Sequence, residues 1–411
     1  MRKIILITGL SFVSIIGLCV LSNRFVKPLT LSTNALYLRW TVSPGKFFIP
    51  DPDYKGPGVM MESNLELSEL DNGLTVFLKR KEPGTFRIFC VGGSTTRGWP
   101  FHERLSYPFL LNLELKDLFP HKKIEVINAG TSATDSWSDV HLVRQIMNYD
   151  PNLILIYEGR NEVWNIPLHV GWRSWLLPLH VWLLRNFYLY RHLCYCSAVI
   201  PDFDHAQTIR DWVSQSSQGQ WPALAIAGLK KNLVKMTRES QKHHCAVIFL
   251  TQVIDPGEMD MTDINNAIRR VAYSENIPLI DLEKAFQQAD PMGRKHFMLI
   301  PGTPIHPNIP GYLFIAQFVA RRLAQIGIIA PWKEWRWNQL KSNCDYLREL
   351  SVTPKFMSRI YLRLAMQVRK MGLPDVKRKY LEWSKEFKNH GALRMKRFCT
   401  KKSDALHSLM L

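Results

Sequence analysis

The stretch "RIFCVGGSTTRGWP", residues 87–100, decides how the rest of the chain is read. A short apolar run ends in two glycines and a serine, Gly92-Gly93-Ser94, and then turns polar. The run reads as a buried strand, and the glycines as the sharp turn leaving it. Ser94 at such a turn has three readings: a turn residue capping the next helix, part of a phosphate cradle, or an exposed nucleophile.

Runs of the same kind recur. "IEVINAG" (124–130), "NLILIYEG" (152–159), "CAVIFLT" (245–251) and "IPLIDL" (277–282) are short, apolar and end in small or polar residues. Helix-length amphipathic stretches separate most of them, such as 104–118 and 263–275. Strand alternating with helix predicts an α/β fold, a parallel sheet covered on both faces. Ligands in open sheets of this kind bind beyond the carboxyl ends of the strands. Ser94, Gly130, Asn161 and Asp281 all fall at or just past such ends.

The phosphate reading requires G-x-x-x-x-G-K-[ST]. Gly93 and Gly98 have that separation, but Trp99 stands at the lysine position. No G-x-G-x-x-G occurs, and Thr96 breaks the G-x-S-x-G elbow. A nucleophile also needs a base and oxyanion donors. Gly130 can offer a backbone N–H and Asn161 a side-chain amide. His306, in "PGTPIHPNIPGY", precedes a good amphipathic helix and can act as the base.

These stretches resemble the blocks of the SGNH (GDSL-type) hydrolases. Ser94 in "VGGSTTRG" matches the serine block and Gly130 in "INAGTSA" the glycine block. Asn161 in "GRNE" matches the asparagine block and His306 in "HPNIPGY" the histidine block. The blocks occur in family order over residues 86–326, and the wording is closest to bacterial membrane-anchored members. The resemblance implies a flavodoxin-like three-layer α/β/α sandwich and serine-based hydrolysis of esters or related acyl groups, with no metal or cofactor. Ser94, Gly130 and Asn161 would hold the oxyanion. Two departures stand out. Gly93 replaces the more familiar aspartate, and Thr303 replaces the aspartate usually found three residues before the histidine. Loss of that charge lowers catalysis by about four orders of magnitude in serine proteases. A Ser94–His306 dyad, a substitute carboxylate such as Asp290 or Asp281, or an idle site that only binds are the alternatives. Arg97, Arg160 and Glu162 flank the motifs and read as solvated salt bridges or as the wall of a polar pocket.

The chain around this body has 411 residues, 53 Lys+Arg against 35 Asp+Glu, and a net charge of +18. Residues 331–411 hold 19 Lys/Arg and 7 Asp/Glu, so about twelve of those charges lie in the last fifth. This basic helical appendage suits membrane headgroups or nucleic acid, or forms a solvated face. The anchor described next and the lack of a recognised module weigh against nucleic acid. At the other end, "IILITGLSFVSIIGLCVLS" (4–22) carries no charge and is long enough to span a bilayer. No alanine precedes Ala35, so residues 1–25 read as an uncleaved anchor with the body outside the cytoplasm. Residues 26–85 read as a linker, with four prolines and three glycines between Ser43 and Gly58. Within the 86–330 hydrolase domain, 164–229 is rich in Trp, Leu and Tyr but broken by Pro167, Arg173 and Pro178. It reads as an aromatic lid rather than a second span. The seven cysteines show no disulfide-rich spacing, Cys194-x-Cys196 is at most a weak metal signal, and "KHHC" (242–245) reads as a helix-to-strand turn.

Overall fold

The computed structural model describes residues 21, 23–26, 46–64, 75–132, 134–162, 182–183, 187–190, 192–193, 223–253, 260–289, 299–300, 303–370 and 374–400. All of the anchor run expected at 4–22 except Leu21, and most of the expected lid, lie outside them, as do Asp290 and Cys194-x-Cys196. Among the described residues, no helix is long and apolar enough to cross a membrane.

The centre is a five-stranded sheet. Its strands are β4 (Phe86–Gly92), β5 (Ile124–Gly130), β6 (Leu153–Tyr157), β7 (Ala246–Leu250) and β8 (Leu279–Ile280), in the spatial order β5-β4-β6-β7-β8. Every neighbouring pair is parallel. Numbered along the sheet, that is 2-1-3-4-5, with the chain direction of winding reversing between β4 and β6. Both sheet faces are covered, which explains the unbroken apolar runs. Along β4, Ile88 and Cys90 join the core beneath α2 (Tyr107–Leu118) and α7 (Ile309–Ile326). Phe89 and Val91 point the other way, into the core formed with α3 (Ser136–Ile146), α4 (Ala223–Lys242) and α5 (Thr262–Ser274).

Two expectations about the periphery are corrected. Of the segment read as a linker, 26–85, the described stretches 46–64 and 75–85 are part of the body. Strands β1 (Phe48–Pro50), β2 (Met60–Ser63) and β3 (Val76–Leu78) form an antiparallel sheet. Phe48 and Phe77 pack edge-on against each other at 4.9 Å, and Phe77 against Phe89 of β4 at 5.5 Å. Pro52, Gly56, Pro57 and Gly58, among the residues that suggested a linker, occupy the turn between β1 and β2, while Phe47, Phe48, Met61 and Phe77 bury their side chains. The fifth apolar run is shorter than expected. β8 is two residues long because Asp281 accepts from Lys284 N at 3.3 Å and opens α6 (Leu282–Ala289).

The turn at "KHHC" is as expected: α4 ends at Lys242, β7 begins at Ala246, and His244 takes a left-handed turn conformation, φ 56°. The basic appendage packs on the body. Trp335 lies against Phe119 at 4.8 Å, and Tyr346 donates to Asp117 at 2.6 Å. Helices α8 (Asn343–Glu349), α9 (Pro354–Lys370) and α10 (Pro374–Thr400) follow, and Tyr361, Leu364 and Tyr380 continue the core out from α7.

Candidate active site

Three of the four expected residues arrive on the main sheet. Ser94 opens a one-turn helix, α1 (Ser94–Arg97), directly after β4. Gly130 ends β5, and Asn161 follows β6 by four residues. His306 does not lie at the end of the fifth strand. It sits in β10 (Thr303–Pro307), which pairs antiparallel with β9 (Leu299–Ile300) in a separate hairpin. Asn308 then caps α7 through Gly311 N at 3.0 Å, so the imidazole is held just before a buried helix.

The hairpin brings His306 to the serine. Ser94 Oγ and His306 Nε2 are 2.7 Å apart, joining positions 212 residues apart in sequence. The other ring nitrogen, Nδ1, is buried and has no hydrogen-bond partner among the described residues. Burial, and secondarily the Arg160 guanidinium, lower the imidazole pKa to about 3, so the ring is a neutral base at ordinary pH. Thr303 has its backbone in β10, but its side chain lies outside the described residues. Asp281 is not a substitute carboxylate. It accepts from Arg269 at 2.8 and 3.0 Å and from Thr251 at 3.0 Å. Burial would raise its pKa, but those bonds hold it below the ordinary range.

The donors are arranged unequally. Ser94 is the first residue of α1, so its N–H has no intrahelical acceptor. Asn161 Nδ2 donates to Thr134 O at 2.7 Å, which fixes the amide and leaves its second N–H available. A Cβ placed on Gly93 would lie only 2.9 Å from that Nδ2, so the glycine before the serine leaves room for the asparagine. Gly130 is different: its N–H donates to Asn128 Oδ1 at 2.9 Å. A Cβ there would stand 2.5 Å from Arg97 N and 2.7 Å from the Thr96 carbonyl carbon. Gly130 thus lets β5 pass directly beneath α1.

The flanking charges are not solvated. Arg97 is 2% exposed and pairs with Glu103 at 3.5 Å, while Glu103 accepts from Thr75 Oγ1. Glu162 makes no salt bridge with a described residue. It accepts from Ser136 N and Ser136 Oγ, both at 2.9 Å, at the start of α3. It belongs to a buried group with Asp135, Asp139 and Glu158, set beneath Gly93 and Asn161. Burial, helped by the neighbouring acids, raises Glu158 and Glu162 well above the carboxylate range. Burial likewise lifts Asp139 to about 8, with the neighbouring Asp135 carboxylate adding to the rise. Sequence reasoning missed this group because its members are scattered over 28 residues and three elements. Among the described residues, no cluster of His, Cys, Asp and Glu could hold a metal ion.

A hydroxyl lies within hydrogen-bond distance of an imidazole, with the Ser94 N–H and the Asn161 amide on neighbouring loops, at the point where the sheet reverses its winding. It can perform acyl transfer: proton removal, attack on a carbonyl, and stabilisation of the resulting oxyanion.

No protein-family model matches the chain, and no curated protein is significantly similar to it. Among solved structures, it is similar to Axe2, an acetylxylan esterase from Geobacillus stearothermophilus. That match has 15% identity over 58% of this chain and 94% of that one, with a TM-score of 0.40. LAE5, described as an alpha/beta hydrolase enzyme from the metagenome of Lake Arreo, Spain, has 17% identity over 58% and 94%, with a TM-score of 0.40. The acetyl xylan esterase AlAXEase has 17% identity over 57% and 98%, with a TM-score of 0.39.

Proposed function

We propose that this chain is a serine ester hydrolase of SGNH type. The observation that carries the reading is the 2.7 Å contact between Ser94 Oγ and His306 Nε2. The Ser94 hydroxyl attacks the acyl carbonyl as its proton passes to His306 Nε2. The carbonyl oxygen, now negative, takes hydrogen bonds from Ser94 N and Asn161 Nδ2. The tetrahedral centre collapses, and His306 returns the proton to the departing alcohol. Water then repeats the sequence on the acyl-enzyme. The oxyanion hole has two donors in this reading, because the Gly130 N–H is already bonded to Asn128.

The substrate we infer is an acyl or acetyl ester of an envelope glycan or lipid, reached by a membrane-anchored chain with its body outside the cytoplasm. The uncharged run at 4–22 and the positive-charge excess of 331–411 support that placement. Cys344 is disulfide-bonded, which suits an oxidising compartment. Transfer of the acyl group to a sugar instead of water is the same chemistry with another acceptor.

A second reading, an envelope protein that binds through this pocket without turnover, is favoured by one feature. Among the described residues, His306 Nδ1 has no carboxylate partner of the kind that steadies the imidazolium in a triad. A fluorophosphonate probe and a p-nitrophenyl ester series, applied to the wild type and Ser94→Ala, decide between the two. Labelling and turnover that disappear in Ser94→Ala are expected. A folded wild type that is never labelled leaves the binding reading.

A further inference from the structure

The His306 ring is hydrogen-bonded to Ser94 Oγ through Nε2 at 2.7 Å, and its buried Nδ1 has no hydrogen-bond partner among the described residues. An imidazole held at one nitrogen has nothing directional to fix its ring plane or its tautomer. Among the described residues, its charged form also has no acid of the kind a triad supplies. The charged group acting on the ring is Arg160, and a cation opposes the imidazolium. Among the described residues, a group other than a carboxylate has to hold this ring in place and favour its charged form.

Trp99 is positioned to do both. Its ring centroid lies 4.4 Å from that of His306, with the planes at 51°. Trp99 is also anchored at both ends of its own backbone. Its N–H donates to the carbonyl of Ser94 at 3.0 Å, so it hangs from the nucleophile itself. Its carbonyl accepts from Tyr312 Oη at 2.8 Å, and Tyr312 is a fully buried residue of α7, the helix that follows His306. Gly98, in the left-handed conformation at φ 101°, ends α1 and turns the chain so that Trp99 can make these contacts. One residue is therefore bonded to the serine segment, bonded to the histidine segment, and packed on the base.

We propose that Trp99 is the positioning residue for His306, its indole fixing the ring plane and stabilising the imidazolium in place of a triad carboxylate. The inference rests on Ser94 and His306 acting as described above. Trp99 forms and breaks no bond: the Ser94 proton moves to Nε2 as the Oγ–C bond forms, and the indole face stabilises the positive charge that results. A cation within about 6 Å of an aromatic centroid in a desolvated site is stabilised by roughly tenfold or more in equilibrium terms.

The test uses the full chain in detergent with Trp99→Phe, which keeps an aromatic face, and Trp99→Leu, which keeps apolar bulk and excludes water. Trp99→Leu should lower kcat roughly tenfold with KM nearly unchanged, and should slow fluorophosphonate labelling in parallel. Trp99→Phe should retain most of both. A Trp99→Leu variant as active as Trp99→Phe, or a loss confined to KM, would overturn the proposal. The KM result would make Trp99 a substrate contact instead. A second readout needs no turnover. With histidine isotopically labelled and His306 assigned through His306→Gln, its ring should give one sharp set of NMR signals in wild type and Trp99→Phe. It should give exchange-broadened or doubled signals in Trp99→Leu. A sharp single set in Trp99→Leu refutes the positioning role even if the wild type hydrolyses no ester tried. Absent labelling beside a broadened ring in Trp99→Leu would instead count against the hydrolase reading alone.

Discussion

Replacing Gly93 by alanine should separate chemistry from stability. The added Cβ would stand 2.9 Å from Asn161 Nδ2, where an ordinary contact begins near 3.4 Å. The amide must therefore retreat by several tenths of an ångström, away from Ser94 and against its bond to Thr134 O at 2.7 Å. Removing an oxyanion donor costs about 10²–10³ in kcat, and misplacing one by about 1 Å costs about 10². A half-ångström retreat should thus lower kcat by roughly 10–100-fold, or about 1.4–2.7 kcal/mol of barrier. The backbone pays nothing comparable. Gly93 has φ −78° and ψ −152°, an extended conformation open to alanine, and Gly→Ala at a compatible site gains about 0.4–1 kcal/mol by restricting the unfolded chain. The assay is kcat and KM on a short p-nitrophenyl ester, together with a thermal melt. Gly130→Ala is the control, because its Cβ would meet the backbone of Thr96 and Arg97 at 2.5–2.7 Å. It should lose stability, on the order of 1–3 kcal/mol, whatever its activity. If Gly93→Ala keeps full kcat, or loses activity only in step with its melting temperature, Asn161 is not an oxyanion donor in the place assigned to it.

Two further expectations concern pH. Because burial and Arg160 hold His306 near a pKa of about 3, kcat/KM should stay level from neutral pH down to about pH 5, with its acid limb well below the ordinary histidine value. Arg160→Gln should move that limb upward; a wild-type limb between pH 6 and 7 would contradict the buried, neutral ring. Asp139 bears on stability. Its folded pKa, about 8, lies above the ordinary value of 3.8, so its contribution is fully present below pH 4 and is lost as pH rises through 8. Asp139→Asn, which cannot ionise, should raise the melting temperature at pH 8 more than at pH 5, and equal shifts at both would show that the carboxyl is not held neutral.

Much of the body is legible in the residue order, and the reasons differ by element. The strands of the main sheet could be read because a parallel sheet covered on both faces needs runs such as "RIFCV" and "LILIY" that are apolar at every position. Ser94 and Asn161 could be placed because strand ends are marked by small and polar residues. His306 could be named but not located, since the hairpin β9–β10 is too short to leave a periodic signal. Residues 46–78 misled for the same reason: three strands of three or four residues sit among turn prolines, and the contact of Phe48 and Phe77 with Phe89 spans up to 41 positions. Arg97 and Glu162 look like surface charges when only their neighbours in sequence are seen. Their burial comes from Glu103, Thr75 and Ser136, which the fold delivers from elsewhere.

The sequence by itself determined the alternation of strand and helix, hence the parallel sheet and the set of strand ends at which chemistry can occur, because local patterning dictates which backbone is buried on both sides. Only the tertiary structure decided how those ends act. It set Ser94 against His306, committed the Gly130 N–H to Asn128, left Nδ1 without a partner among the described residues and laid Trp99 on the ring. Each of these is a contact of a few ångströms between residues whose separation in sequence carries no information about their separation in space.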